Sequence, residues 1–197
     1  MSTTLTAPAP DAPSAPPGDL AIWFFILAEL LAFAVFFAAY AFARANNVEL
    51  FDEMQRTLDR DSGALNTVLL ITASWCVARA VHRVTEDNAP GHAARWLLGG
   101  IACGGGFLVV KVVEYAHVFG EGITLSTNTF YMFYISLTFF HFMHVILGMV
   151  ILTVLWVQTR KGLYGPGNAN GLESGAAYWH MVDLVWIVLF PLVYVMR

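Results

Sequence analysis

Four stretches of this sequence place acids, bases and imidazoles at helical spacing. Glu29 stands alone in an apolar run. Lys111 and Glu114 lie at i,i+3, and so do Glu114 and His117. His141, His144 and Gly148 fall at i, i+3 and i+7, and His180 and Asp183 are again i,i+3. On an α-helix each set shares one face. Such faces can bind metal, or they can hydrogen-bond one another and fix helix rotation. Glu114-x-x-His117 has the form used by di-metal carboxylate bundles, whose sites need further glutamates and a second copy of the motif. One copy is present, so Glu29 and Asp183 would have to supply the missing carboxylates. A haem would need two of His117, His141, His144 and His180 to face each other from different helices. A stand-alone membrane metalloenzyme built on Glu114, His117, His141, His144 and His180 is therefore one reading. An internal polar network with no catalytic and no metal-binding residue is the other, and the single motif copy favours it. No GxSxG elbow or HExxH helix is present. Cys76 and Cys103 have no CxxC or zinc spacing and read as two buried thiols.

The elements that carry these residues are membrane helices. Only 12 % of the chain is charged and 58 % is apolar, and mean hydropathy is +0.64. Soluble domains carry about 25 % charge. With ten basic against fourteen acidic residues, no basic surface is available for nucleic acid. Of the charges, Glu29, Lys111, Glu114 and Asp183 fall inside apolar segments, where each costs roughly 2.5–3.5 kcal/mol on insertion scales. Five runs approach the length of about 20 residues needed to span a bilayer. They cover about 20–43, 65–80, 96–119, 130–157 and 176–196. The runs are continuous rather than alternating, which predicts an all-α, five-helix transmembrane bundle and excludes a barrel.

Residues 1–18, with five prolines among Ala, Ser and Thr, read as a disordered tail, and without a basic n-region or an apolar run they are not expected to be a cleavable signal peptide. Residues 19–197 form the transmembrane domain. Five spans put the termini on opposite sides. The side of the N-terminus holds Arg79, Arg83, Arg95, Arg160 and Lys161, against Arg44, Arg56, Arg60 and Arg197 opposite. That bias predicts a cytoplasmic N-terminus. Between the first two spans, Phe51, Met54 and Leu58 recur at helical spacing among Glu49, Asp52, Glu53, Arg56 and Asp59, the pattern of an interfacial helix. Its acidic face could meet a basic partner such as a cytochrome. Asp61 or Ser62 is the expected cap of the next span. Gly100 and Gly104 make a GxxxG pair, and with Gly148 they are the expected points of close helix approach.

These segments resemble subunit III of the haem-copper oxidases over nearly the whole chain after the tail. Ile22-Trp-Phe-Phe-Ile-Leu-Ala-Glu29 looks like the family helix that carries a carbodiimide-reactive glutamate, with Glu29 at that position. Glu114-Tyr115 matches the family's Glu-Tyr pair. Thr138-Phe-Phe-His141-Phe-Met-His144-Val-Ile-Leu-Gly148 matches its T-G-x-H-x-x-H-V-x-x-G stretch. Tyr178-Trp179-His180-Met-Val-Asp183-Leu-Val-Trp186 matches Y-W-H-x-V-D-x-x-W. Length and the Leu65-Asn66-Thr67 start of the second span look most like the small five-helix NorE-type branch, the accessory subunit of nitric oxide reductases. The resemblance implies a non-catalytic subunit of a bacterial inner-membrane complex, either a cytochrome c or quinol oxidase or a nitric oxide reductase. It implies no cofactor in this chain, haem and copper or iron in the partner catalytic subunit, and bound structural phospholipid. Its implied role is assembly, stability and sustained proton uptake in aerobic respiration or denitrification. Two departures stand out. The first two helices of the seven-helix version are missing, and Phe139 replaces the motif glycine, which predicts a wider helix contact at that turn.

Overall fold

The computed structural model describes residues 19–196; the expected disordered tail lies outside them. Six α-helices run in order: α1 (Leu20–Asn46), α2 (Val48–Gln55), α3 (Arg60–Thr85), α4 (Pro90–Gly120), α5 (Thr129–Arg160) and α6 (Asn170–Phe190), followed by a π-helical turn (Pro191–Val195). Among the described residues, five helices are long and apolar enough to cross a membrane, α6 doing so together with its π turn. This is an all-α transmembrane bundle. Each long helix runs past the apolar stretch that marks it in the sequence, because polar turns continue it into the interface.

Local chemistry sets the helix ends. Asp19 accepts from the Ala21 amide at 3.2 Å to start α1, and Asn128 accepts from the Tyr131 amide at 2.8 Å to start α5. α3 is capped by Asp59, which takes the amides of Asp61 and Ser62 at 3.0 and 3.2 Å; the cap expected at Asp61 or Ser62 sits two to three residues earlier. Pro90 opens α4, where a missing N–H costs nothing. Gly122 and Gly162, with φ of +78° and +72°, close α4 and α5. The following amides reach back, Ile123 to Val118 and Leu163 to Gln158, in a turn that needs the left-handed conformation of glycine.

α6 is the central element, packing on α5, α3 and α1, while α3 and α4 form the most extensive pair. α1 is peripheral. Its buried residues are Ile26, Phe33 and Tyr40, a single stripe at seven-residue spacing. α2 lies at the far end of α1, with Phe51 buried and Glu49 and Glu53 outward. Gln55 is fully buried and donates to Tyr40 Oη and to the carbonyls of Leu192 and Val193 at 3.2, 3.2 and 3.0 Å. Those carbonyls belong to the π turn, so Gln55 satisfies backbone groups in that turn. Arg44 pairs with Asp52 at 2.9 Å and donates to the Met196 carbonyl, tying α1 to α2 and the chain end.

The predicted close contacts centre on Trp179. A Cβ on Gly104 would lie 2.8 Å from Trp179 Cη2 and 2.5 Å from Met149 Sδ; one on Gly148 would lie 2.8 Å from Trp179 Cε3. Two glycines from α4 and α5 therefore form the slot that receives the indole of α6. Gly100 gives a looser contact, 3.2 Å to Val77 Cγ2 on α3. Phe139 does not widen this packing as expected. It is 51 % exposed and stacks on Phe142 of its own helix, because its position on α5 faces outward.

Candidate functional site

The intramembrane polar residues resolve into three separate centres. The first joins α1 to α5. His144 Nδ1 is 2.7 Å from the Phe140 carbonyl, and His144 Nε2 is 2.9 Å from Glu29 Oε2. A carbonyl only accepts, so Nδ1 must carry hydrogen. The Nε2···Oε2 contact then holds one proton, on the carboxyl or on the ring. Phe33 and Phe140 pack edge-on against the imidazole at 5.2 and 4.6 Å between centroids.

The second centre joins α4, α5 and the π turn. Lys111 is fully buried, and its Nζ lies 3.2 Å from Glu114 Oε2. Nζ donates to Tyr194 Oη at 2.9 Å, and Tyr194 in turn donates to Glu114 Oε1 at 2.6 Å. Tyr134 also donates to Oε1. The rings of Tyr115, Tyr134, Trp186 and Tyr194 surround the ammonium at 4.8–5.7 Å to their centroids. Charge, hydroxyl partners and π faces together offset the burial of Lys111. Tyr194, fully buried, lies in the π turn, which opens on Pro191, a residue with no N–H for a regular helix.

The third centre lies between α3 and α6. His180 Nδ1 is 2.9 Å from Ser74 Oγ. Asp183, one turn on, is buried, and its Oδ1 has no hydrogen-bond partner among the described residues. His141 stands between the centres, with Nε2 donating to the Val182 carbonyl at 3.0 Å and its ring among Phe107, Trp186 and Phe33.

His117 leaves the expected network. Its side chain is 77 % exposed and pairs with Glu121 at 3.4 Å. The i,i+3 spacing from Glu114 is real, but in the last turn of α4 His117 lies on the outer side of the helix, while Tyr115 and Val118 on either side of it face the core. Conversely, Ser74, Tyr134 and Tyr194 carry the network without having been singled out by spacing. Single hydroxyls on apolar helices have no periodic signature; the Pro191 break was the one cue to Tyr194. Among the described residues, no three His, Cys, Asp or Glu side chains converge as a metal site would need. The ligand set of the metalloenzyme reading is thus dispersed over different centres and the helix end.

The family model described as "Cytochrome c oxidase subunit III" matches residues 18–197. The chain belongs to that family. Among its relatives, cytochrome c oxidase subunit 3 of Thermostichus vulcanus is 32 % identical over 178 residues, 90 % of this chain and 86 % of the relative. Quinol oxidase subunit 3 of Bacillus subtilis is 29 % identical, with 90 % of this chain and 86 % of the relative covered. A haem-copper oxidase subunit I+III of Aeropyrum pernix is 32 % identical across 88 % of this chain and 22 % of that protein. The subunit III family thus accounts for the all-α transmembrane bundle.

Proposed function

We propose that this chain is a non-catalytic accessory subunit of a haem-copper oxidoreductase, packed on a catalytic subunit that carries the haem and the copper or iron. The observation that carries this reading is the dispersal of its intramembrane polar groups into separate centres that join helices, in a chain of the subunit III family. Each centre couples helices, and none assembles a reacting site. The fused subunit I+III relative supports a stoichiometric association with the catalytic subunit.

Within that reading, Glu29 and His144 act as a one-proton store at the α1–α5 seam and sustain proton supply to the catalytic subunit. The partner is a cytochrome c oxidase, a quinol oxidase or, by resemblance to the NorE-type branch, a nitric oxide reductase in denitrification. Phospholipid fills the outer helix faces, the N-terminus is cytoplasmic, and the acidic face of α2 is available to a cytochrome.

Turnover endurance tests this. Complexes carrying Glu29→Gln are expected to assemble and start at the normal rate, then lose activity after fewer turnovers than wild type. Unchanged endurance removes Glu29 from proton supply.

A further inference from the structure

The cage around Lys111 holds an arrangement that the joining of helices does not use. A tyrosine gives up one electron readily when a base stands at its hydroxyl to take the phenol proton. Of the seven tyrosines, Tyr134 and Tyr194 are the two whose hydroxyls meet a carboxylate among the described residues; both donate to Glu114 Oε1. The hydroxyls of the other five meet amide, hydroxyl or carbonyl groups, which are far weaker bases. Tyr134 and Tyr194 are both fully buried, so a radical formed on either is kept from coupling with a second molecule.

The surroundings single out Tyr134. Lys111 Nζ donates to Tyr194 Oη at 2.9 Å, which draws electron density from that phenol and makes its oxidation harder. No cation donates to the Tyr134 oxygen among the described residues. Trp186, the indole of the cage, has its N–H on Thr67 Oγ1 at 3.0 Å rather than on a base. Oxidised, it would remain a radical cation with the ammonium 5.7 Å from its ring centroid. Tyr134 becomes neutral by losing its proton, and so meets no such repulsion. A route outward exists as well. The Tyr131 ring is 6.2 Å from that of Tyr134 between centroids, and its hydroxyl is 2.8 Å from Thr57 Oγ1, just after α2 at the membrane surface.

We infer that Tyr134 is a reversible one-electron redox site, with Glu114 as its proton acceptor. Its oxidant is a radical of the peroxyl class at the membrane surface. That radical gains one electron and takes a proton from water, giving the hydroperoxide. Tyr134 loses the electron and passes its phenol proton to Glu114, becoming a neutral phenoxyl. The cage then carries one added positive charge, left on Lys111 among four ring faces. A one-electron reductant of the enediol class restores the phenol, with Glu114 returning the proton. The site protects against oxidising radicals and turns over no substrate of the complex, so it does not depend on the accessory role.

Electron paramagnetic resonance tests this on the full chain in nanodiscs, alone and in its native complex. Ruthenium(III) tris-bipyridyl, made in the aqueous phase by a flash and a sacrificial acceptor, stands in for the radical. A tyrosyl signal that outlasts the flash and narrows with ring-deuterated tyrosine is expected, and ascorbate removes it. Tyr134→Phe, which keeps the ring and its packing, removes most of that signal. Tyr164→Phe, in the loop between α5 and α6, leaves it. Glu114→Gln keeps the Tyr134 hydroxyl and an acceptor oxygen but not the base, and also removes most of it. Unfolding midpoints confirm that each variant is folded. Absence of a tyrosyl signal in the wild type overturns the inference. So does a signal of wild-type size in folded Tyr134→Phe or in folded Glu114→Gln.

Discussion

Glu29 Oε2 and His144 Nε2 lie 2.9 Å apart across the seam between α1 and α5. With Nδ1–H donating to the Phe140 carbonyl, Nε2 is the ring nitrogen left to hydrogen-bond the carboxyl. The contact is one of few polar links holding α1 to the bundle. Glu29→Gln preserves it, because the amide can donate to Nε2. His144→Leu leaves the carboxyl of Glu29 stranded in the membrane, at about 1–3 kcal/mol or more. The leucine variant is expected to lower assembly yield, the glutamine variant only endurance. Subunit yield per haem, measured alongside turnovers to inactivation, separates the two.

The Trp179 slot gives a purely steric test. Gly148→Ala drives a methyl to 2.8 Å of the indole, whereas Gly105→Ala meets nothing within 4 Å. Overpacking of a filled interior costs typically about 1–3 kcal/mol. Thermal unfolding in mild detergent is expected to show a clear loss for Gly148→Ala and a near-neutral or slightly improved Gly105→Ala, since alanine is the better helix former.

Lys111 and Glu114 should show strong coupling. Lys111→Met alone leaves Glu114 without its ion-pair partner, and breaking a buried pair costs about 3–5 kcal/mol. Combining it with Glu114→Gln is expected to recover most of that loss, because the amide still accepts from Tyr134 and Tyr194. A double-mutant cycle on unfolding checks this; additive losses would contradict the pairing.

His180→Ala and Asp183→Ala, on the inner helix of the bundle, are expected to reduce assembly of the complex more than the turnover of what assembles. Blue-native gels and activity per haem measure the two quantities separately. Normal assembly with abolished turnover would point to a direct catalytic role.

At the membrane surface, Asp59 predicts a pH dependence. The Ser62 hydroxyl, at 2.5 Å, and the amides of Ser62 and Asp61 hold its carboxyl below the ordinary carboxylate value. A folded-state value below the unfolded one, about 3.9, gives stability that is present above it. That stability is lost as pH falls through the folded-state value. Asp59→Ala is therefore expected to cost about 0.5–2 kcal/mol near neutral pH, the usual worth of an N-cap. The gap from wild type should close in acid. Unfolding midpoints across pH 2–7 measure it.

Much of the fold was legible because hydrophobic length is a strong signal, whereas the cap of α3 was missed by two to three residues, Asp59 capping in place of Asp61 or Ser62. The position of α2 was legible too, although it ends at Gln55 rather than running through Leu58. The site was legible only in part. Spacing tells which residues share a face of one helix; it is silent on what opposes that face. Lys111 with Glu114 was visible for that reason, being within one helix. Glu29 with His144, 115 residues apart, was not. His117 shows the converse error, since i,i+3 spacing from Glu114 does not fix the rotation of that face, and His117 turns outward while Val118 beside it is buried. Phe139 was read from a motif position, and only the rotation of α5 reveals that it points outward.

The central claim is that this chain joins a haem-bearing catalytic subunit and does no chemistry of its own. A mild-detergent pull-down of tagged protein from native membranes tests it most directly, with mass spectrometry, a reduced-minus-oxidised spectrum and metal analysis on one eluate. Co-elution near one to one with a haem-bearing subunit, and no haem or metal on the chain stripped from it, is the predicted result. The chain eluting alone with stoichiometric iron, copper or zinc would contradict it.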